Sequence, residues 1–368
     1  MPENLTFVVG TGRCGSTMIS HLLKAHSDVL SLSQFFMQLY GPRFQEGFLD
    51  ASQFWQLLST PNPYISMMLR HGLTFSEFLY PASTTSRYTL ETGIPGILGT
   101  ALPHLTDDYE TLYDELQPVV SNFPPDSIAG HYTRLFAWLK QRFRRKVCVE
   151  RSGISLPLVA SLARIFPDAK FIHIARNGRA CALSMSRHHG FRLMAIRMLL
   201  MEALGVDPTT SNDRTKIDAL SKDLRRLLPE TFDIDVYRAY DMPIEVFGKM
   251  WSQLIITGVR SLLALPEEQV MTISYEQILA EPERQMQRIM TFIDPSLPTD
   301  EWISSASRLI RQPASPIVED STLEEDSALK EDSALETACG PGQAILDVLK
   351  KEGLRSVRLQ DVLQTSRS

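Results

Sequence analysis

The chain predicts an α/β fold, a three-layer sandwich built on a central parallel sheet, and three observations carry that prediction. Short apolar runs read as buried strands. They alternate with helical patterns at the spacing of parallel strands joined by crossover helices. The chemically informative stretches lie where those runs end, which is where open parallel sheets bind their ligands.

The elements follow in order. Leu5 to Val9 is an apolar run that stops at the glycine-rich stretch Gly10-Thr11-Gly12-Arg13-Cys14-Gly15-Ser16-Thr17, and Met18, Ile19, Leu22 and Leu23 then mark one face of a helix. Lys146 to Gly153 is a second strand with a polar end, Glu150-Arg151-Ser152, and Leu156 to Phe166 reads as a helix stopped by Pro167. Lys170 to Ala175 is a third, ending in Arg176-Asn177-Gly178. Gln269 to Tyr275 is a fourth, leading into a helix after Pro282.

Strand, glycine loop and helix in that order build an anion cradle. Glycines let successive N–H groups converge, and the helix N-terminus adds partial positive charge. An ordinary tight strand–helix turn would also use these glycines. The spacing Gly10-x4-Gly15-Ser16-Thr17 mimics a Walker A motif, but Ser16 stands where that motif needs lysine, and the loop's cation is Arg13. The second feature is Arg176 at a strand end with Ser184 eight residues later on the following helix. Arginine supplies a fork of charged donors and serine one directed donor, enough to hold one phosphate; a surface ion pair is the plainer role for Arg176.

Together, in this order, the two motifs resemble the sulfotransferases that use 3′-phosphoadenosine 5′-phosphosulfate (PAPS). The resemblance covers roughly residues 5–295 and implies a P-loop-like sandwich with helical insertions capping an acceptor cleft. It assigns Gly12, Arg13, Cys14, Gly15, Ser16 and Thr17 to the 5′-phosphosulfate, Arg176 and Ser184 to the 3′-phosphate, and Tyr275 to the adenine side. It departs from the family at Gly178, where relatives often have proline, and at Gln277, where they often have aspartate. The C-terminal Arg-Lys-Gly loop is absent, and Arg308 and Arg311 are the candidates to replace it.

Sulfuryl transfer needs positioning, cations and a proton acceptor. Arg13 is the loop cation, and Arg151 stands where relatives have a lysine. With the cations built in, no metal is expected. Relatives place a histidine at the position of Gly153 or a glutamate near Ser33 and Gln34, and neither type is present here. Glu150 and Glu91 are the preferred carboxylates, with His131, His188 and His189 also in view. A phosphate-loop kinase or NTPase, and a catalytically impaired nucleotide-binding homologue, are the alternative readings.

Composition sets further bounds. The 368 residues are 43% hydrophobic and 22% charged with net charge −6, which fits a globular chain and gives no electrostatic footprint for nucleic acid. No apolar run approaches the roughly 18–20 residues of a membrane span. Four scattered cysteines without Cys-x-x-Cys spacing point to a reducing compartment, the cytoplasm.

The expected layout is a catalytic domain over residues 1–312, with helical, aromatic-rich insertions at 34–140 and 190–240 on the side of a small-molecule acceptor. A mobile acidic segment follows at 313–340, where Glu319 to Glu336 carries eight acidic residues against one lysine. A helical tail at 341–368 completes the chain.

Overall fold

The computed structural model describes residues 5–83, 86–207, 214–311 and 333–357. Seven strands occur among them: β1 (Leu5–Val9), β2 (Val29–Ser33), β3 (Phe48–Leu49), β4 (Asp126–Ser127), β5 (Val147–Arg151), β6 (Lys170–Ala175) and β7 (Val270–Ser274). Five of them form one parallel sheet in the order β2-β5-β1-β6-β7, flanked by helices, while β3 and β4 make a small antiparallel pair.

All five residues of β1 are buried, as expected for a strand covered on both faces. Phe7 anchors the packing, its ring 5.5 Å from those of Phe166 and Phe171 and 6.1 Å from Phe36. Register aligns the strand ends: Val8 lies opposite Arg151, Val9 opposite His173, and Ala175 opposite Ser274. The glycine loop after central β1 therefore opens between the ends of β5 and β6, and the two arginine-bearing strand ends flank it.

The sequence reading missed β2. Its pattern, Val-Leu-Ser-Leu-Ser, puts hydroxyls into a buried strand, where Ser31 Oγ donates to Ser20 O at 3.1 Å. The predicted helix from Leu156 begins as a 3-10 turn, Leu156–Leu158, and continues as Val159–Ile165.

The acidic segment falls mostly on residues 312–332, outside those described. From Ser333 onward the expected boundaries give way. One helix, Ser333–Glu352, runs across the anticipated break at 340 and packs along the helix Ile244–Leu263. Leu335, Cys339 and Leu346 bury its inner side, which an acidic mobile segment could not do. No described helix is long and apolar enough to cross a membrane. All four cysteines are buried thiols.

Candidate active site

The loop from Gly10 to Gly15 enters the helix Ser16–Lys24, whose N-cap is Gly15 at φ 86°, with no side chain capping it. A Cβ at Gly15 would sit 2.3 Å from the Tyr275 ring, and one at Gly12, φ 78°, would sit 2.4 Å from Phe191. Both positions require glycine, for left-handed backbone and for close approach. Arg13 is itself left-handed, at φ 55°. That conformation is costly for a side chain bearing a Cβ, and such outliers gather at functional sites.

The loop and the Arg176–Ser184 pair are brought into direct contact. Arg13 Nε donates to Ser184 Oγ at 2.8 Å, and an Arg176 guanidinium nitrogen donates to Arg13 O at 2.9 Å. Arg176 also lies 4.6 Å from the centre of the Tyr275 ring, within cation–π range. The next helix, Gly178–Ser186, has its first amides engaged: Asn177 N–H donates to Glu276 Oε1 and Gly178 N–H to Gln343 Oε1. Proline at 178 could not make the second bond, which accounts for that departure from the family pattern. Lys350 reaches Glu276 at 3.4 Å. The C-terminal helix thus closes this corner, whereas Arg311 is paired with Glu283 and Arg308 is exposed.

Arg151 is 1% exposed, and none of its three guanidinium nitrogens has a hydrogen-bond partner among the described residues. Buried polar groups are almost always satisfied, and a buried charge without partners is expensive. Arg151 does not itself line the cavity beside the loop, but it lies close enough to Arg13 and Glu77 for their charges to act on it. The helix N-terminus behind Arg13 is uncapped, and this donor set suits an anion.

Side chains alternate along β5, and Glu150 and Arg151 keep different company. Glu150 is fully buried, accepts from Ser152 Oγ at 2.6 Å, and does not line the cavity. Burial pushes its carboxyl up to about 7, against the Ser152 hydrogen bond and the charge of Arg151. Glu91 is exposed and lies outside the cavity, in a surface turn. His131 stacks on Phe54 at 4.7 Å with Nε2 2.8 Å from Leu49 O, and His189 Nδ1 meets the Tyr237 hydroxyl at 2.9 Å. Neither lines the cavity.

That cavity, about 800 Å³, joins Gly12, Arg13, Ser16 and Thr17 of the loop to the helical insertions. Its acid–base pair is Glu77 with His188. Glu77 Oε1 lies 3.6 Å from Arg13, and Oε2 lies 3.5 Å from His188 Nε2. Gly190 N–H donates to His188 Nδ1 at 3.1 Å, so Nε2 is the nitrogen that presents a proton to Glu77. Burial opposes ionisation of Glu77, but the His188 hydrogen bond and the charges around it, Arg151 and Arg13 included, hold the carboxyl at about 2.

The sequence reading passed over Glu77. It sits in an irregular stretch held by tertiary bonds: Thr100 Oγ1 donates to Glu77 O at 2.5 Å, and Leu79 N–H to Gly99 O at 2.8 Å. The only local signal was its place between two cap aromatics, Phe75 and Phe78. The two positions where relatives carry a base face one another instead. Gln34, left-handed at φ 56°, lines the cavity, and its Oε1 accepts from Gly153 N–H at 2.8 Å.

The sulfotransferase family model matches residues 6–237, well over half of the chain, and the sulfotransferase domain model matches residues 155–337. The chain belongs to the sulfotransferase family and is a sulfuryl-transferring enzyme. Among solved structures it is similar to the sulfotransferase domain from the curacin biosynthetic pathway, at 14% identity and TM-score 0.43, covering 100% of this chain and 97% of that one. It is also similar to sulfotransferase STF9 from Mycobacterium avium, at 15% identity and TM-score 0.39, covering 95% and 77% of the two chains. No curated protein sequence matches the chain. The family assignment rests on the two family models.

Proposed function

We propose that the chain transfers a sulfuryl group from PAPS to a hydroxyl of a small-molecule acceptor, leaving 3′-phosphoadenosine 5′-phosphate (PAP). The observation that carries the reading is the Arg151 guanidinium, buried without hydrogen-bond partners among the described residues, on the strand next to the one whose glycine loop enters an uncapped helix. It calls for an anion at the place where the family motif puts the 5′-phosphosulfate. Backbone amides from Gly12 to Gly15 and the hydroxyls of Ser16 and Thr17 would hold that end, with Arg13 and Arg151 supplying charge. Arg176 and Ser184 would take the 3′-phosphate, beside Tyr275.

When bound, this donor supplies a sulfuryl group and a phosphate leaving group, so the new oxygen–sulfur bond forms as the sulfur–oxygen bond to phosphate breaks. Glu77 accepts the acceptor's proton. Its carboxylate lines the cavity in ionised form, and His188 fixes its orientation through Nε2. In the free protein Arg13 and Arg151 make Glu77 a weak base; a bound anion facing those arginines offsets their charge and raises its basicity. Gln34 and Gly153 leave the family's usual base positions empty, and Glu77 answers that loss from the cap. Buried thiols throughout the described chain support a reducing compartment, the cytoplasm, as the place of action.

The test is thermal stabilisation. A ligand at about a hundredfold excess over its Kd adds about 2.7 kcal/mol to the native state. PAP is expected to raise Tm by several degrees, with ATP plus Mg²⁺ doing much less. Better protection by ATP would overturn the reading in favour of a phosphate-loop kinase.

A further inference from the structure

The cavity that holds Glu77 concentrates its acid–base groups at one end. Arg13, Gln34, Glu77 and His188 gather where it meets the loop, and the walls beyond are mostly apolar, with Gln38, Arg43, Gln45, Asn62 and Arg197 set among them. Met37, Met67 and Met68 come from one insertion, and Met194, Leu200 and Leu227 from the other. Unbranched, polarizable methionines adapt to an apolar guest without fixing one shape.

Gln38, Asn62, Arg43 and Arg197 along those walls are already engaged with the protein. Gln38 Nε2 donates to Thr100 Oγ1 at 3.0 Å. Asn62 Oδ1 accepts from Tyr64 N–H at 3.1 Å, and its amide nitrogen donates to Gln38 O at 3.3 Å. Arg43 donates to Leu39 O at 3.0 Å and lies 5.6 Å from the Phe44 ring centre. Arg197 is paired with Asp207, with Nε 3.2 Å from Oδ1. A guest carrying many hydroxyls would surrender its water to walls that offer few hydrogen bonds in return. At about 800 Å³ the space is near the upper end of the roughly 300–1,000 Å³ typical of small-molecule sites.

We propose that the acceptor is an elongated apolar alcohol, its hydroxyl held at Arg13, Glu77 and His188 and its hydrocarbon body filling the methionine-walled cavity. The proposal rests on the sulfuryl-transfer reading for the chemistry, and on the lining alone for the guest. The same lining disfavours sugars as the main acceptors.

A length series tests it on the full chain: 1-butanol, 1-hexanol, 1-octanol and 1-dodecanol, with galactose as the polyol control. Binding is read without donor, by displacement of an apolar fluorophore; transfer is read with labelled PAPS. Each added methylene is expected to raise affinity, and kcat/KM, roughly three- to four-fold until the cavity is full, the equivalent of about 0.8 kcal/mol per methylene. Met194→Gln should flatten both series while leaving PAP-induced stabilisation unchanged. Because the wild-type series is informative by itself, misfolding of that variant would not blunt the test. Flat alcohol binding, with sulfate passing to galactose, would overturn the proposal and leave sulfuryl transfer standing. A rising binding series without transfer to any acceptor, and without stabilisation by PAP, would support the apolar site and sink the chemistry.

Discussion

The floor of the site and its lid treat a buried carboxylate in opposite ways. Glu150, on the sheet, is drawn up to about 7 because burial outweighs the Ser152 hydroxyl, Arg151 and the backbone amides of Phe35 and Phe36. Glu77, in the cap, is held at about 2 because burial is outweighed by His188, Arg151 and Arg13 converging on it. Both feel Arg151, so the cation common to both does not explain the difference. What differs is access. Glu77 faces a cavity lined by Arg13 and His188, whereas Glu150 is sealed in the sheet with Ser152 as its close partner. Desolvation raises both carboxyls, and the strength of the facing charges decides the outcome. A hydrogen-bonded histidine and two arginines outweigh it at Glu77, whereas one arginine, a hydroxyl and two backbone amides do not at Glu150. On this account the floor binds and the lid does acid–base chemistry.

That division can be broken by separate substitutions. Arg176→Ala is expected to cost about 2–5 kcal/mol in PAP affinity, the range for losing a buried charged contact, while affinity for the analogue without a 3′-phosphate stays nearly constant. The measurement is titration calorimetry with both nucleotides. Equal losses would make Arg176 a structural residue that happens to hold Arg13 O.

The pH dependence of stability sharpens the contrast further. Glu77 has a lowered value, so its contribution is present above the ordinary 4.5 and is lost as pH falls towards about 2. Glu150 has a raised value, so the fold favours its protonated form and stability declines as pH rises from 4.5 through about 7. Each window is worth on the order of 3 kcal/mol. Urea unfolding between pH 3 and 8 should show Glu77→Gln flattening the acid limb and Glu150→Gln flattening the loss above 4.5. Identical profiles for the two variants would erase the distinction between floor and lid.

The floor was readable in the sequence because short windows carry it. Leu5 to Val9 with the glycines behind it, and Arg176 eight residues before Ser184, specify strand, turn and helix from neighbours alone. The cap was not readable in the same way. Nothing near Glu77 in sequence says that Gly99 and Thr100 pin its backbone over the loop. Glu150 looked promising from its neighbour Arg151, yet strand alternation gives it separate surroundings. Serines at 31 and 33 concealed β2; the burial of Ser31 is satisfied by a tertiary hydrogen bond to Ser20 O. The tail helix was foreseen for Gln343 to Leu349, but its extension back to Ser333 comes from packing on Ile244–Leu263 rather than from local charge.

The central claim is that the base resides in the lid, at Glu77. Single-turnover transfer by Glu77→Gln, with saturating PAPS and the best alcohol of the length series, tests it most directly. Positioned proton transfer contributes about 10²–10⁴-fold. The account predicts a fall of that size with PAP affinity unchanged within a few-fold; a folded variant transferring at nearly the wild-type rate would contradict it.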